Sequence, residues 1–374
     1  MALIKIGFIG LSATAGWARG AHLPFLKDSS DYEIVAVCNS SVKSSEAAIK
    51  LYSLSPSTKA YGDPEGVAKD PNVDLVVCSV RVDRHLATIS SSLKAGKNFY
   101  VEWPLGKSVA EARELLKLKK ENNVKTAIVG LQARQSPLVN KLKSLIESGA
   151  IGKVLNSTLS AQASNGGKTA PKEIKYFGDK EVGGNIVTIH FGHTIDYFQY
   201  VLGYGFQSSN GLLENRRQKI DLVDGEGKVV ERGVPKTSDD TIFVQGTLSS
   251  GIPFSLNLRG GAPFKGTPGL DWRIYGETGE IRVTASGPFL QVGYPDMKIE
   301  LHNFAKDTAE EIEVARDELD IEAPEAAFGG YAARNVGRVY RGLAKGEINC
   351  SFEDAVERHE FLEELCKQNG YVEA

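Results

Sequence analysis

Cysteine is scarce in this chain of 374 residues. Only Cys38, Cys78, Cys350 and Cys366 occur, and no two stand in C-x-x-C spacing. That excludes the usual zinc sites and any disulfide framework, and it points to a reducing compartment. Cys38 and Cys78 fall in apolar runs and read as inert core thiols. No apolar stretch reaches the roughly 18 residues of a membrane span. Neither sign of charge is in excess, with 44 Lys and Arg against 47 Asp and Glu. No basic stripe is left for a nucleic acid, so direct DNA binding is not expected. Repeats and low-complexity segments are absent too. Met1 leads almost at once into an apolar strand, so no signal peptide is expected. The final Tyr-Val-Glu-Ala is no retention or peroxisomal signal. The expectation is a cytoplasmic protein of about two domains with ample core.

What the chain does have is concentrated at its start. Lys5-Ile6-Gly7-Phe8-Ile9-Gly10 reads as a short buried strand and runs into Leu11-Ser12-Ala13-Thr14-Ala15-Gly16-Trp17. A strand feeding a turn of small residues and then a helix lets backbone approach a pyrophosphate, with free N–H groups at the helix start to receive it. The pattern departs twice from G-x-G-x-x-G: Ser12 stands where a glycine is usual, and Gly16 comes one residue late. An ordinary strand–loop–helix turn is the alternative. The position at the N-terminus of a chain this long favours a dinucleotide-binding Rossmann unit.

Strands and helices then alternate. Strands are expected at Tyr32 to Cys38, Val73 to Ser79, Phe99 to Glu102 and Thr126 to Leu131, with helices at Ser44 to Leu51, His85 to Ala95 and Ser108 to Asn122. Glu111 stands three residues after Ser108, the capping-box spacing. Strands joined by helical crossovers make a doubly wound parallel sheet. Near residue 150 the pattern changes. Gly152 to Ala163 reads as a strand and Thr188 to Leu202 as a helix. Further strand-like runs follow at 207–213, 242–248, 253–259, 272–276 and 279–284, then helices at Arg334 to Leu343 and Phe352 to Gln368. The polar stretch Asp221 to Asp240 reads as a hairpin with a surface loop. The fold class expected is α/β: an N-terminal Rossmann domain over 1–130, then an α+β domain over 131–374 with a large, mostly antiparallel sheet for substrate and oligomer contacts.

Five strings in order carry a resemblance. They are Gly16-Trp17-Ala18, Val101-Glu102-Trp103, Leu131-Gln132-Ala133-Arg134-Gln135-Ser136-Pro137, Phe191-Gly192-His193-Thr194-Ile195-Asp196, and Val234 to Thr237 with Phe243 to Leu248. Over nearly its whole length the chain resembles the Gfo/Idh/MocA family of NAD(P)-dependent sugar and polyol oxidoreductases. It is most similar to a fungal branch that includes a galactose-regulon repressor. The resemblance implies a small-molecule substrate held near Trp103 and His193, with hydride passing to or from nicotinamide. As the alternative it implies, through that branch, a non-catalytic dinucleotide-binding regulator acting on a protein partner, in which case a nuclear location also fits. Two family groups are missing: Trp103 stands in place of the lysine of Glu-Lys-Pro, and Ile189 in place of an aspartate one turn before His193. Indole cannot shuttle a proton at neutral pH.

The candidate residues follow from the strand-end rule, which places ligands at the carboxyl ends of parallel strands. Cofactor contacts are expected from Gly10, Leu11, Ser12, Ala13, Gly16 and Trp17, from Asn39, Ser40 and Lys43, from Ser79, Arg81 and His85, and from Glu102, Trp103 and Gln132. Asn39 lacks the carboxylate that usually binds both ribose hydroxyls, and Lys43 adds a cation, so NADP is favoured over NAD. Glu102 is expected on the nicotinamide ribose, as in the family. Trp103 either stacks on a ligand or is a core aromatic. His193 either moves the substrate proton or only hydrogen-bonds. Tyr176 is a second acid/base candidate, and Arg134, Lys175 and His190 are candidate substrate contacts; Lys172 and Lys175 equally read as solvated loop lysines. His190 and His193 share a helix face, but no carboxylate or cysteine accompanies them, so no metal is expected. An antiparallel sheet with one uncovered face suggests a homodimer or higher homo-oligomer.

Overall fold

The computed structural model describes residues 3–14, 16–322 and 331–371. Its chain divides into two compact units, 1–135 with 317–360, and 136–316 with 361–374.

The first unit is built on six parallel strands: β1 Ile4–Ile9, β2 Tyr32–Cys38, β3 Lys59–Tyr61, β4 Leu75–Cys78, β5 Asn98–Glu102 and β6 Ala127–Gly130. They lie in the order β3-β2-β1-β4-β5-β6, the doubly wound arrangement. Parallel strands covered on both faces need apolar side chains throughout, and β4 and β6 are buried at every position. The strand β3 escaped sequence reading because three residues, one of them exposed, give no periodic signal.

Helices connect the strands, and local chemistry shifts their starts. α1 spans Leu23–Asp28 behind a π-turn at Ala18–His22. α2 spans Val42–Leu51, two residues earlier than expected. Ser41 is its cap and accepts from the Ser44 N–H, while Ser44 answers at the Ser41 N–H. α3 is Pro64–Lys69, α4 His85–Lys94 and α5 Val109–Glu121. Ser108 caps α5 as expected, but Glu111 accepts from the Lys107 N–H and leaves the capping box open.

The second unit begins with α6, Pro137–Glu147. Its main sheet has eight strands: β7 Val154–Ala163, β9 Phe206–Glu214, β12 Thr241–Leu248, β13 Pro253–Gly260, β14 Leu270–Gly276, β15 Gly279–Ala285, β16 Lys298–Asn303 and β17 Thr308–Ile312. The order is β17-β16-β15-β14-β7-β13-β12-β9, antiparallel except where β13 pairs with β7. β16 and β17 add a hairpin at the edge that sequence reading missed. β8 Thr169–Pro171 joins β10 Lys219–Val223 and β11 Val229–Pro235 in a small sheet, and β10 with β11 is the expected hairpin. A helical segment starts at Ile186 with a π-turn, capped by Asn185 at two N–H groups, and continues as α7, Gly192–Leu202. Phe198 and Tyr197 of α7 stack around Trp272 of β14, with ring centroids 5.4 and 5.6 Å away, and the Trp272 indole N–H donates to Ser157. That cluster fixes α7 on the inner face of the sheet.

After β17 the chain runs through α8, Glu318–Glu322, α9, Tyr331–Ala344, and α10, Phe352–Gln368. Sequence reading put all of this in the second domain. Residues 317–360 instead fold with the first unit. The reason is apolar: α9 is buried on nearly all sides and sends Tyr340, fully buried, into rings supplied by Phe25, Tyr32 and Tyr100.

Candidate functional site

Two groups of side chains stand out, one in each unit. In the first unit the loop after β1 turns sharply. Gly10 has φ +96°, and a Cβ there would lie 2.4 Å from the Ser79 carbonyl oxygen. Only glycine allows the ends of β1 and β4 to come this close. The Gly10 N–H donates to the Cys38 carbonyl, which brings in the end of β2. Beyond Gly10 the turn is held by its own side chains. Ser12 Oγ accepts from the Thr14 N–H at 3.2 Å, and the Tyr52 hydroxyl donates to the Ser12 carbonyl. Gly16 has φ +134° with nothing within 4 Å of a built Cβ. No side chain caps the helical turn that follows Trp17. A glycine cradle at a strand end with an uncapped helical start fits a dinucleotide pyrophosphate. Ala15 lies outside the described residues.

Asn39 closes the other side of this loop. Its Nδ2 donates to the Leu11 carbonyl at 2.9 Å, while its own N–H is received by Ser45 Oγ. Asn39 is thus a strut between the β1 and β2 loops, with its Oδ1 left as an acceptor. Ser40 and Lys43 are exposed at the start of α2.

At the end of β5, Glu102 Oε1 lies 2.8 Å from His22 Nε2, and His22 Nδ1 lies 2.8 Å from the Tyr340 hydroxyl. Glu102 keeps 12% of its side chain exposed, and His22 keeps none. Trp103 follows with a cis bond to Pro104. Its indole is 5% exposed and lies 4.8 Å, centroid to centroid, from His359. Packing on His359 accounts for this tryptophan without a ligand. His85 is likewise internal, its ring nitrogens 3.2 and 3.1 Å from the Leu105 and Val80 carbonyls. Arg81 forms a two-pronged pair with Asp83. Gln132 is buried, with no partner for Oε1 among the described residues. Arg134 is buried and donates to the Asn349 carbonyl at 3.1 Å.

The second unit gathers two histidines at the start of its long helical segment. His190 Nε2 lies 2.7 Å from Asn165 Nδ2, and its ring sits between Phe177 and Phe289, 5.1 and 4.4 Å away. His190 Nδ1, His193 Nδ1 and Asn165 Oδ1 are buried without hydrogen-bond partners among the described residues. Buried polar atoms are normally paired, so three open ones together call for a polar ligand. Burial lowers the His193 pKa to about 4, and burial with the neighbouring His193 lowers that of His190 to about 3. Both imidazoles are therefore neutral at pH 7. Tyr176 is half-buried with its ring against Phe177. Lys175 is exposed and paired with Glu231 at 3.0 Å. Among the described residues no cluster of His, Cys, Asp and Glu could hold a metal ion, and no helix is long and apolar enough to cross a membrane.

Gly10, Asn39, Ser79 and Glu102 thus lie at the strand ends, as expected from the sequence, but the residues that surround them carry little sequence signal. His22, Tyr340, His359, Asn165, Phe177 and Phe289 were not foreseen. His22 and Tyr340 are 318 residues apart, a pairing that no local pattern carries. The only faint signal was the residue type, a histidine inside an otherwise apolar helical segment.

Comparison with known proteins agrees with this fold. The family model for the oxidoreductase family with an NAD-binding Rossmann fold matches residues 4–131, and that for the Gal80p C-terminal domain matches 137–285. Dehydrogenase aclE of Aspergillus oryzae is 33% identical over 317 residues, covering 82% of each chain. The galactose/lactose metabolism regulatory protein GAL80 of Kluyveromyces lactis is 31% identical over 77% of this chain, and the match spans 65% of the relative's length. A Saccharomyces cerevisiae Gal80p super-repressor crystal structure superposes with TM-score 0.88 and 27% identity, over 99% of this chain and 96% of that one. The chain belongs to the Gfo/Idh/MocA oxidoreductase family, in its Gal80-like branch.

The buried histidines make stability depend on pH. His190, His193 and His359 have folded values of about 3, 4 and 3, against 6.5 when unfolded. The unfolded chain therefore takes up protons first as pH falls. Stability is full above about pH 6.5 and is lost toward the folded values, at about 1.4 kcal/mol per pH unit for each histidine. Denaturant melts should show a steep fall between about pH 7 and 5, shallower in His359→Asn; a flat profile would mean these rings are solvated.

Proposed function

We propose that the chain is an NAD(P)-dependent oxidoreductase acting on a small hydroxy or keto compound of the sugar or polyol type. The observation that carries this reading is His193, a buried neutral imidazole with an open Nδ1 beside His190 and Asn165. A neutral imidazole can accept the proton that an alcohol sheds on oxidation. Bound nicotinamide supplies the matching hydride acceptor or donor. His190 and Asn165 offer a second hydroxyl a hydrogen-bonding partner, and Tyr176 stands by as an alternative acid/base. The similarity to dehydrogenase aclE over most of both chains supports an enzyme.

The cofactor is held, on this reading, by the Gly10 to Trp17 loop, Asn39, Ser79 and Glu102. The Asn39 side chain brings no carboxylate against a 2′-phosphate, so NADP binds at least as well as NAD. The outer face of the large sheet, where Leu212 and Phe243 are paired and half exposed, fits a homodimer. The chain then works in the cytoplasm. A second reading, a nucleotide-binding regulator with a protein partner and access to the nucleus, is favoured by the GAL80 relative and by Trp103 in place of the family lysine. Turnover separates the two, since a regulator leaves the nicotinamide unchanged.

The catalytic reading is checked by following reduced-nicotinamide absorbance with a panel of sugars, polyols and ketones. His193→Ala should lower kcat by about 10² to 10⁴ with cofactor affinity little changed. The wild-type kcat should stay level through neutral pH and fall only in acid, as a base with a pKa near 4 is protonated. No turnover with any substrate, or a near-normal kcat in the variant, contradicts it.

Calorimetry decides the cofactor reading. Asn39→Asp should shift the NAD/NADP preference toward NAD. It should also weaken both, because a carboxylate cannot donate to the Leu11 carbonyl. NAD binding more than about tenfold tighter than NADP in the wild type, about 1.4 kcal/mol, refutes the charge argument.

A further inference from the structure

We infer that His22 and Tyr340 are positioning residues that hold the Glu102 carboxylate ready for a ligand hydroxyl; this rests on the reading above, in which Glu102 receives the nicotinamide ribose. An ionised carboxylate only accepts hydrogen bonds, so His22 Nε2 must carry the proton donated to Oε1 at 2.8 Å. In the neutral ring that choice fixes the tautomer. Nδ1 is then a bare lone pair, and the Tyr340 hydroxyl 2.8 Å away donates to it. Tyr340 is anchored in turn, because the Tyr32 hydroxyl donates to its backbone carbonyl at 2.8 Å. The relay thus has one direction, Tyr340 to His22 to Glu102, with every ring atom that can bond already used.

The surroundings leave the relay no freedom to relax. The rings of Phe8, Tyr100 and Tyr340 stand 5.5, 5.1 and 5.8 Å from the His22 ring. Both carboxylate oxygens of Glu102 also face Gly130, where a built Cβ would lie 2.9 Å from Oε1 and 3.0 Å from Oε2. Gly130 therefore leaves room for the carboxylate, and His22 fixes its rotation. Oε1 is taken by His22, and Glu102 keeps 12% of its side chain exposed, which leaves acceptor capacity within reach of a ligand. A core that needed only apolar packing would put phenylalanine at both relay positions. The polar pair matters because an acceptor held still loses little entropy when a ligand arrives. Helix α9 thereby contributes to the binding edge of a sheet whose last strand ended some 200 residues before it.

The test compares two ligands on the full chain by calorimetry. The reduced dinucleotide carries the nicotinamide ribose, and ADP does not. Tyr340→Phe keeps the ring and removes one hydroxyl; His22→Leu removes both relay bonds; His22→Gln restores a donor toward Glu102. Tyr340→Phe and His22→Leu should weaken NADPH or NADH by about tenfold or more with ADP changed less than about twofold, and His22→Gln should recover part of the loss. Glu102→Gln should match them, and combining it with Tyr340→Phe should add little. Equal loss of both ligands, or normal dinucleotide binding in Tyr340→Phe while Glu102→Gln binds poorly, overturns the inference alone. Normal binding in Glu102→Gln overturns the ribose reading beneath it. Thermal melts of each variant separate a folding defect, and Tyr340→Phe, which keeps its ring in the cluster, remains informative if His22→Leu does not fold.

Discussion

The part-buried hydrogen bond between His22 and Glu102 is the interaction on which the first unit turns. It ties the first helical segment to the end of β5, and through Tyr340 it ties both to a helix from the far end of the chain. A charged carboxylate beside a fully buried imidazole is costly unless every polar atom has a partner. The aromatic cage around His22 makes that demand strict, and Tyr340 meets it. The return of residues 317–360 to the first unit is thus an electrostatic requirement as much as an apolar one.

The second unit solves the opposite problem. His190 and His193 are stripped of solvent and left neutral, with open nitrogen atoms instead of a completed network. Such a site is unstable toward acid and receptive to a hydroxyl. The Trp272 cluster holds the helix that carries them, so the openness comes from the absence of partners and not from looseness of the helix. Trp103 completes the contrast: where a family lysine would be free to move protons, an indole is packed on His359.

Much of the fold could be read from the residues. The runs of β4 and β6 are apolar and buried at every position because both faces are covered, and the alternation of β13 and β14 is clean because one face is wet. Short or polar strands such as β3 and β17 carry neither pattern and were lost. The candidate site was legible at the strand ends, where Gly10, Asn39, Ser79 and Glu102 gather, because topology alone puts them there. Asn39 was read for its charge, whereas its amide also serves as a strut to Leu11. Arg134, Lys175 and His85 were read as ligand contacts; the fold gives each a protein partner, which only tertiary structure could disclose. The change of pattern near residue 150 announced a second domain, but the later crossing back was not visible, since α9 looks like any amphipathic helix.

The carboxyl edge of the six-stranded sheet is the place we propose for a dinucleotide. The most direct measurement is a crystal structure of the chain grown with saturating NADPH or NADH. The account predicts the pyrophosphate over the Gly10 to Ser12 turn and a nicotinamide ribose hydroxyl on Glu102, with His22 and Tyr340 unmoved. Dinucleotide bound away from that edge, or none bound at saturation, would contradict it.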